Sequence, residues 1–118
     1  MLLDRLGRLQ QRLPGMQALS LVDKDGIPVE SVSMSPDLDL ESLTAELIVQ
    51  LQAMEHSLAE LKPGQLDHLA VTTEDRILMV SCVTTGYYLL LVLTATANRG
   101  RARFELRRAR LLLEDELL

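Results

Sequence analysis

Residues 39–61 read DLESLTAELIVQLQAMEHSLAEL, and the rest of the predicted fold is arranged around this segment. Apolar side chains recur along it at spacings of three and four residues, which is typical of one face of an amphipathic helix. They are Leu40, Leu43, Leu47, Leu51, Met54, Leu58 and Leu61. A helix of this length would run about 33–35 Å, enough to cross a small sheet. We therefore predict a long central helix over residues 39–61 that packs these side chains on a sheet.

The opposite side of this helix lacks the lysines and glutamates that a solvent-facing helix usually carries. Small, apolar or uncharged side chains lie there instead: Ala45, Ile48, Val49, Gln52, His56 and Ala59. A helix that is apolar on two faces is normally covered on both. We therefore predict a homodimer, with Ala45, Ile48, Val49 and Ala59 at the interface between two central helices.

Length and charge limit the possible classes of protein. The chain has 118 residues, which is long enough for one domain with a proper core and too short for two. We predict a single domain over residues 1–118. The formal net charge of −5 opposes binding to nucleic acid and to anionic membranes.

The lone cysteine and the apolar runs bear on the cellular compartment. Because Cys82 is the only cysteine, the chain has no internal disulfide and no multi-cysteine zinc site. Charged residues interrupt the N-terminal segment too early for a signal peptide. The longest apolar run, residues 87–93, is far shorter than the ~20 residues that span a bilayer. We expect a cytoplasmic protein without membrane insertion.

The segments before the central helix predict a short helix and a hairpin. Leucines at spacings of three and four define the short helix, which ends at Pro14 and Gly15. Gly26 lies in a polar turn between two apolar runs, as in a hairpin. Pro28 near the start of the returning strand is typical of an edge strand. The predicted strands of the whole chain span residues 16–22, 27–33, 65–72, 76–83 and 87–95.

Capping residues and apolar runs place the remaining elements. Asp37 or Asp39 is the expected N-cap of the central helix, and Asn98 that of a final helix. The inner stripe of that final helix comprises Ala102, Leu106, Ala109, Leu113 and Leu117. The last two strands are apolar without alternation, which predicts helices on both faces of the sheet. The fold class is therefore α/β in the α+β sense: a five-stranded antiparallel sheet between one long central helix and two flanking helices, in the order αββαβββα.

The sequence contains no recognisable catalytic or metal-binding motif. Its two histidines, His56 and His68, have no neighbour at the spacing of metal ligands. It also lacks the Gly-x-x-x-x-Gly-Lys-Ser/Thr phosphate loop of nucleotide hydrolases. Cys82 lies within a predicted strand, where a buried and unreactive thiol is expected. We predict no enzymatic activity, no metal and no cofactor.

Arginines are concentrated in the final helix. Six of the twelve basic residues fall there: Arg99, Arg101, Arg103, Arg107, Arg108 and Arg110. Proteins that bind nucleic acid usually combine such a cluster with net positive charge and stacking aromatic residues, which this chain lacks. Two interpretations stay open at this point, a solvated helix flank and a contact with an acidic surface of another protein.

Several short segments resemble the Roadblock family, which is named after a dynein-associated light chain. The segments are Leu13-Pro14-Gly15-Met16, Leu21-Val22-Asp23-Lys24-Asp25-Gly26-Ile27-Pro28, Thr84-Thr85-Gly86-Tyr87-Tyr88-Leu89-Leu90, Ala97-Asn98-Arg99-Gly100 and Arg103-Phe104-Glu105-Leu106. Each is weak alone, but together they occur in the family's order and separations. The resemblance implies the same fold as the pattern of apolar residues predicts.

The resemblance also implies a function. Bacterial members of the family, of which the MglB-type gliding-motility GTPase-activating protein is the best known, are regulators or scaffolds of small Ras-like GTPases. They form symmetric dimers through the third strands and the central helices. A non-catalytic homodimeric regulator is therefore expected here, with stimulation of GTP hydrolysis left open. The residues expected to contact the GTPase are Glu41, Gln52, Glu55 and His56.

Two alternative functions remain at this stage. One is a dimerisation and assembly module that does not influence a GTPase. The other is a profilin-like domain that senses a small ligand held between sheet and helix. The aliphatic character of the strands argues against the ligand sensor, because such a site needs polar side chains turned into the core.

Overall fold

A computed structural model describes residues 9–84 and 86–117 of the chain. Three helices and five strands follow one another in the predicted order αββαβββα. Their bounds are α1 Leu9–Arg12, β1 Met16–Asp23, β2 Pro28–Ser33, α2 Leu40–Leu61, β3 His68–Thr72, β4 Arg76–Cys82, β5 Tyr87–Thr94 and α3 Arg99–Leu117. The predicted part of the first helix that precedes Leu9 lies outside the described residues.

The strands form one antiparallel sheet in the order β2-β1-β5-β4-β3. β5 is the central strand: Leu91 faces Leu19 of β1 on one side and Met79 of β4 on the other. The short connections β1–β2, β3–β4 and β4–β5 require antiparallel neighbours. β2, which contains Pro28, lies at one edge of the sheet as predicted, and β3 lies at the other.

Both faces of the sheet are covered, so the chain forms three layers. Alternate residues of β5 belong to two different cores: Leu89 and Leu91 pack with α1 and α3, whereas Leu90 and Val92 pack with α2. This arrangement explains why the sequence of β5 shows no alternation of polar and apolar residues. It confirms the predicted sheet between one long helix and two flanking helices.

The ends of α2 follow from local hydrogen bonding. The Asp39 carboxylate accepts a hydrogen bond from the backbone amide of Ser42 at 3.2 Å, so Asp39 is the N-cap. At the other end, Lys62 takes the left-handed conformation with a φ of 57°, and its amide donates to the Leu58 carbonyl. Pro63 follows at once and prevents further helical turns.

The inner side of α2 differs in part from the predicted leucine stripe. Its fully buried residues lie within two turns and include Leu47 and Leu51, as expected. Met54 and Leu61 are 43% and 77% exposed, so their predicted burial is wrong. All buried residues of α2 lie between Thr44 and Leu51.

The other boundaries agree with the predictions except at β3. This strand starts at His68, three residues later than predicted, after an irregular segment that follows α2. α3 begins next to Asn98, whose side-chain oxygen accepts a hydrogen bond from the Arg101 amide at 3.0 Å. Its buried stripe is Ala102, Leu106, Ala109 and Leu113, as predicted, and the side chain of Leu117 lies outside the described part.

Candidate interaction surface on the central helix

The outward face of α2 carries a row of exposed apolar side chains. Ala45, Val49 and Ala53 follow one another at intervals of four residues, and Val49 is 60% exposed. Residues four apart lie on the same face of a helix, so the three form a continuous strip. Ala53 was missed by the sequence analysis, although its position one turn after Val49 was a sufficient signal.

Ile48 does not belong to this strip, and its predicted place at a dimer interface is corrected. Its side chain is only 2% exposed and packs in the core with Leu47 and Leu51. The sheet covers a wider arc of α2 than the leucine stripe alone indicated. Ile48 therefore has almost no surface to offer a second chain.

The turn between β1 and β2 lies against one flank of α2. The Gln52 side-chain amide donates a hydrogen bond of 2.6 Å to the Lys24 carbonyl. Gly26 of the same turn approaches the helix so closely that a side-chain carbon there would lie 3.6 Å from the Ala45 Cα. Gln52 therefore has a structural role in addition to its predicted contact with a partner.

Glu55 is also held within the chain. Its carboxylate accepts a hydrogen bond of 2.9 Å from the Tyr88 hydroxyl, and the Glu55 side chain is half-buried. Burial, above all, raises the pKa of the Tyr88 hydroxyl, and the hydrogen bond to Glu55 acts in the same direction, whereas Gln52 opposes it. The contact links α2 to the central strand of the sheet.

Glu41, His56 and Ala59 are exposed on α2. His56 Nε2 lies 3.4 Å from a carboxylate oxygen of Glu60, and both side chains are largely in solvent. The four predicted contact residues extend over about 22 Å along the helix at 1.5 Å per residue. They therefore line one side of α2 as a strip and do not converge on a pocket.

The edge of the sheet at β3 is a second feature of this side of the molecule. Within residues 9–84 and 86–117, β3 pairs with β4 alone, so one row of its backbone amides and carbonyls faces outward. Leu69 and Val71 of β3 lie on the same face of the sheet as α2 and are half-buried. An open edge beside a half-buried apolar face is a template for pairing with another strand.

A cleft of about 850 Å³ opens at the end of the sheet where α2 and α3 finish. Its lining includes Tyr88, Cys82 and the ion pair between Arg110 and Asp67. Burial, with smaller contributions from nearby carboxylates, raises the pKa of Cys82 to about 11, so the thiol is unreactive at neutral pH. The interior between sheet and helices is aliphatic, with Ser20, Thr44, Ser81 and Glu105 as the buried polar residues described.

Within the described part of the chain, no group of three or more histidine, cysteine, aspartate or glutamate side chains is placed to hold a metal ion. No helix within the same residues is long and apolar enough to cross a membrane.

The five-stranded antiparallel sheet, with one long helix on one face and two helices on the other, defines the class of protein. The Roadblock/LC7 domain family model matches residues 2–94, which is most of the chain. The chain therefore belongs to the Roadblock/LC7 family. No curated protein sequence matches it significantly.

Solved structures share the fold over nearly the whole chain. Myxococcus xanthus MglB is 17% identical, with a TM-score of 0.87 over 98% of this chain and 94% of MglB. MglC from Myxococcus xanthus is 27% identical, with a TM-score of 0.67 over 98% of this chain and 99% of MglC. An MglB with a tetrameric arrangement is 18% identical, with a TM-score of 0.85 over 97% of this chain and 85% of that one. The predicted resemblance to bacterial Roadblock proteins of the MglB type is thereby confirmed.

Proposed function

We propose that this chain is a non-catalytic homodimeric regulator or scaffold of a small Ras-like GTPase, which it binds through the paired α2 helices. The observation that carries the proposal is the strip of Ala45, Val49 and Ala53, which is exposed although the helix has ample polar residues elsewhere. Membership of the Roadblock/LC7 family supports it, because the family resemblance implies a regulator or scaffold of such GTPases.

The dimer follows from surfaces that a single chain leaves open. Val49 at 60% exposure and the free edge of β3 are both suited to contact with a second copy. Met54 and Leu61 add exposed apolar area on the flank of α2 opposite the β1–β2 turn. The tetrameric arrangement of a structurally similar MglB supports self-association as a property of this fold.

The GTPase contact is assigned to the side of α2 that carries Glu41 and His56. Both side chains are exposed, and two antiparallel helices leave a shallow groove along their seam. Gln52 and Glu55 lie along the same side, where each keeps one internal hydrogen bond and retains capacity for a second. Regulators of Ras-like GTPases act on the switch segments that the γ-phosphate orders, so the GTP-bound form should bind more tightly.

A second candidate function is a dimeric assembly module without influence on a GTPase. The internal hydrogen bonds of Gln52 and Glu55 favour it, because they account for both side chains without any partner. The likeness to MglC, at 27% identity over 98% of this chain, is compatible with either candidate.

The test is a calorimetric titration with the Ras-like GTPase encoded nearest to this gene, loaded either with a GTP analogue or with GDP. The double variant Glu41→Arg/His56→Glu reverses the charge at residue 41 and adds a negative charge at residue 56, both of them exposed. It leaves the internal hydrogen bonds of Gln52 and Glu55 intact. Glu46→Arg is the matched control, since it reverses an exposed charge on the other flank of the same helix.

We expect tighter binding of the GTP-analogue form and a loss of about tenfold or more in affinity for the double variant alone. Equal affinity for the two nucleotide states would indicate that the protein is a scaffold of the GTPase and not its regulator. An absence of binding in both states would favour the assembly module. Equal losses of affinity in the double variant and the control would show that the GTPase does not bind this side of α2.

A further inference from the structure

The outer face of α3 exposes large apolar side chains that the fold does not use. Phe104, the only phenylalanine of the chain, is 59% exposed, and Leu111 and Leu112 are 53% and 43% exposed. The spacing from Phe104 to Leu111 and Leu112 is seven and eight residues, so all three lie on one face. The opposite side of α3 already packs on the sheet through its buried stripe.

Exposed arginines lie at one edge of this apolar face and within it. Arg103, Arg107 and Arg108 are exposed, and none of them forms an ion pair within residues 9–84 and 86–117. By contrast, Arg101 and Arg110 of the same helix each pair with a carboxylate. The face therefore carries arginine charges that form no ion pair within the described part of the chain.

The one acidic residue in the first three turns of α3 is directed away from this face. Glu105 is 1% exposed and lies between two arginines, with Arg12 Nε at 3.3 Å and Arg101 Nη2 at 3.6 Å. The Glu105 carboxylate thus joins α1 to α3 through these two arginines. Residues 99–110 present only positive charge to solvent, on a chain whose net charge is −5.

We infer that this face, which we call the α3 face and define by Phe104, Arg107, Arg108, Leu111 and Leu112, binds an acidic amphipathic helix of a partner protein. Apolar residues at helical spacing match the apolar stripe of a second helix packed alongside. Exposed Arg107 at one edge of the face and Arg108 between Phe104 and Leu112 match acidic side chains beside that stripe. The contact would cover about three turns of each helix.

Two other occupants fit the same face less well. An anionic membrane is opposed by the net charge of −5 and would also meet the exposed Asp115, one turn beyond Leu111 on the same face. A second copy packed α3 against α3 would bring Arg107 and Arg108 close to the same residues of its partner. An acidic helix that ends before Asp115 avoids both penalties.

The α3 face is independent of the proposed GTPase contact. α2 and α3 lie on opposite faces of the sheet, in two separate cores. One chain can therefore hold a partner on each side at the same time. Substitutions on the α3 face should leave self-association and GTPase binding unchanged, so the two proposals fail separately.

The test uses a capped synthetic peptide of about four helical turns, with leucines along one face and glutamates on both flanks. A peptide of the same composition in scrambled order is the control ligand. Fluorescence anisotropy measures binding to the full chain and to the variants Phe104→Ser and Arg107→Glu/Arg108→Glu. Val29→Ser and Lys24→Glu are matched controls, because they remove an exposed apolar side chain and reverse an exposed charge elsewhere.

We expect saturable binding of the ordered peptide, weakened about tenfold or more by each α3 variant and little changed by the controls. Equal binding of the scrambled peptide, or equal losses in the control variants, would overturn the proposal. If the peptide does not bind, but phosphatidylglycerol vesicles bind the wild type and not Phe104→Ser, the face would be assigned to a membrane instead. Self-association that Phe104→Ser abolishes would assign it to a second copy. Unchanged thermal unfolding of the variants shows that each result concerns binding.

Discussion

Replacing Gly15 by alanine tests how the corner between α1 and β1 is held against the end of β5. Gly15 has a φ of +94°, and its carbonyl accepts a hydrogen bond of 2.9 Å from the Thr94 amide. A side-chain carbon at Gly15 would lie 2.8 Å from Thr94 Oγ1 and 3.0 Å from the Ala97 Cβ. Both distances are shorter than an ordinary contact, so the Thr94 side chain must rotate or the neighbouring backbone must shift.

Two effects add in this variant. The left-handed backbone conformation costs a non-glycine residue about 1–2 kcal/mol. Overpacking against Thr94 and Ala97 costs about 1–3 kcal/mol more. The free energy of unfolding should therefore fall by about 2–5 kcal/mol in Gly15→Ala, measured by urea denaturation followed by circular dichroism at a fixed protein concentration.

Gly86→Ala is the matched control for the close contact. Gly86 has a similar φ of +89°, but a side-chain carbon there would meet no atom within 4 Å. Its substitution should cost about 1–2 kcal/mol, from the backbone conformation alone. Equal losses in the two variants would refute the packing of Gly15 against β5.

Three further predictions concern the core, the thiol and an ion pair. Leu51→Ala removes a fully buried side chain and should lower the free energy of unfolding by about 2–5 kcal/mol. Met54→Ala, on the exposed side of the same helix, should lower it far less. Equal losses of the two variants in urea denaturation would contradict the observed boundary of the core. Burial raises the pKa of Cys82 from 9.0 to about 11, so at pH 8 it should react with Ellman's reagent about a hundredfold more slowly than a cysteine peptide, and a rate close to that of the peptide would contradict its environment. The hydrogen bond from Arg110 lowers the pKa of Asp67 below its usual 3.8. The folded chain therefore binds this proton less readily than the unfolded chain, and the stability that Asp67→Asn removes should be present above pH 3.8 and vanish as the pH falls through the lower folded value; a difference in thermal unfolding that persists in acid would contradict the pair.

The elements of the fold could be predicted because their signals are local. The N-cap, predicted as Asp37 or Asp39, is Asp39, and the α3 stripe is confirmed from Ala102 to Leu113. The unalternating run of β5 is confirmed as a strand buried on both faces. All three signals depend on residues close in sequence. The edge position of β2 followed from a single residue, Pro28. Such features depend on the local preferences of single residues and on the spacing of apolar residues. Both can be read from the sequence alone.

The distribution of burial along α2 could not be predicted in the same way. Periodicity ranks the sides of a helix, but it does not show where the sheet beneath it ends or how wide an arc it covers. Ile48 was therefore assigned outward and proved buried, whereas Leu61 was assigned inward and is 77% exposed. Ile48, for example, packs in one core with Val22 of β1 and Leu78 of β4, which lie 26 and 30 positions away in sequence.

The internal contacts of the candidate site were also invisible in the sequence. Gln52 and Glu55 were chosen because they lie at the margin of an apolar helix face, and they still line it. Their hydrogen bonds to Lys24 and Tyr88 join residues 28 and 33 positions apart. Only the folded chain shows that both side chains already serve its own structure, which is why Glu41 and His56 are the better sites for substitution.

Dimerisation through α2 is tested most directly by sedimentation velocity of the wild type and of Val49→Glu at low micromolar concentration. The wild type should sediment as a dimer of twice the 13.2 kDa chain mass. In Val49→Glu, two unpaired carboxylates would be buried near the symmetry axis, so this variant should sediment as a folded monomer. A wild type that remains a folded monomer over that concentration range, or a variant dimer as stable as the wild type, would contradict the pairing of the central helices.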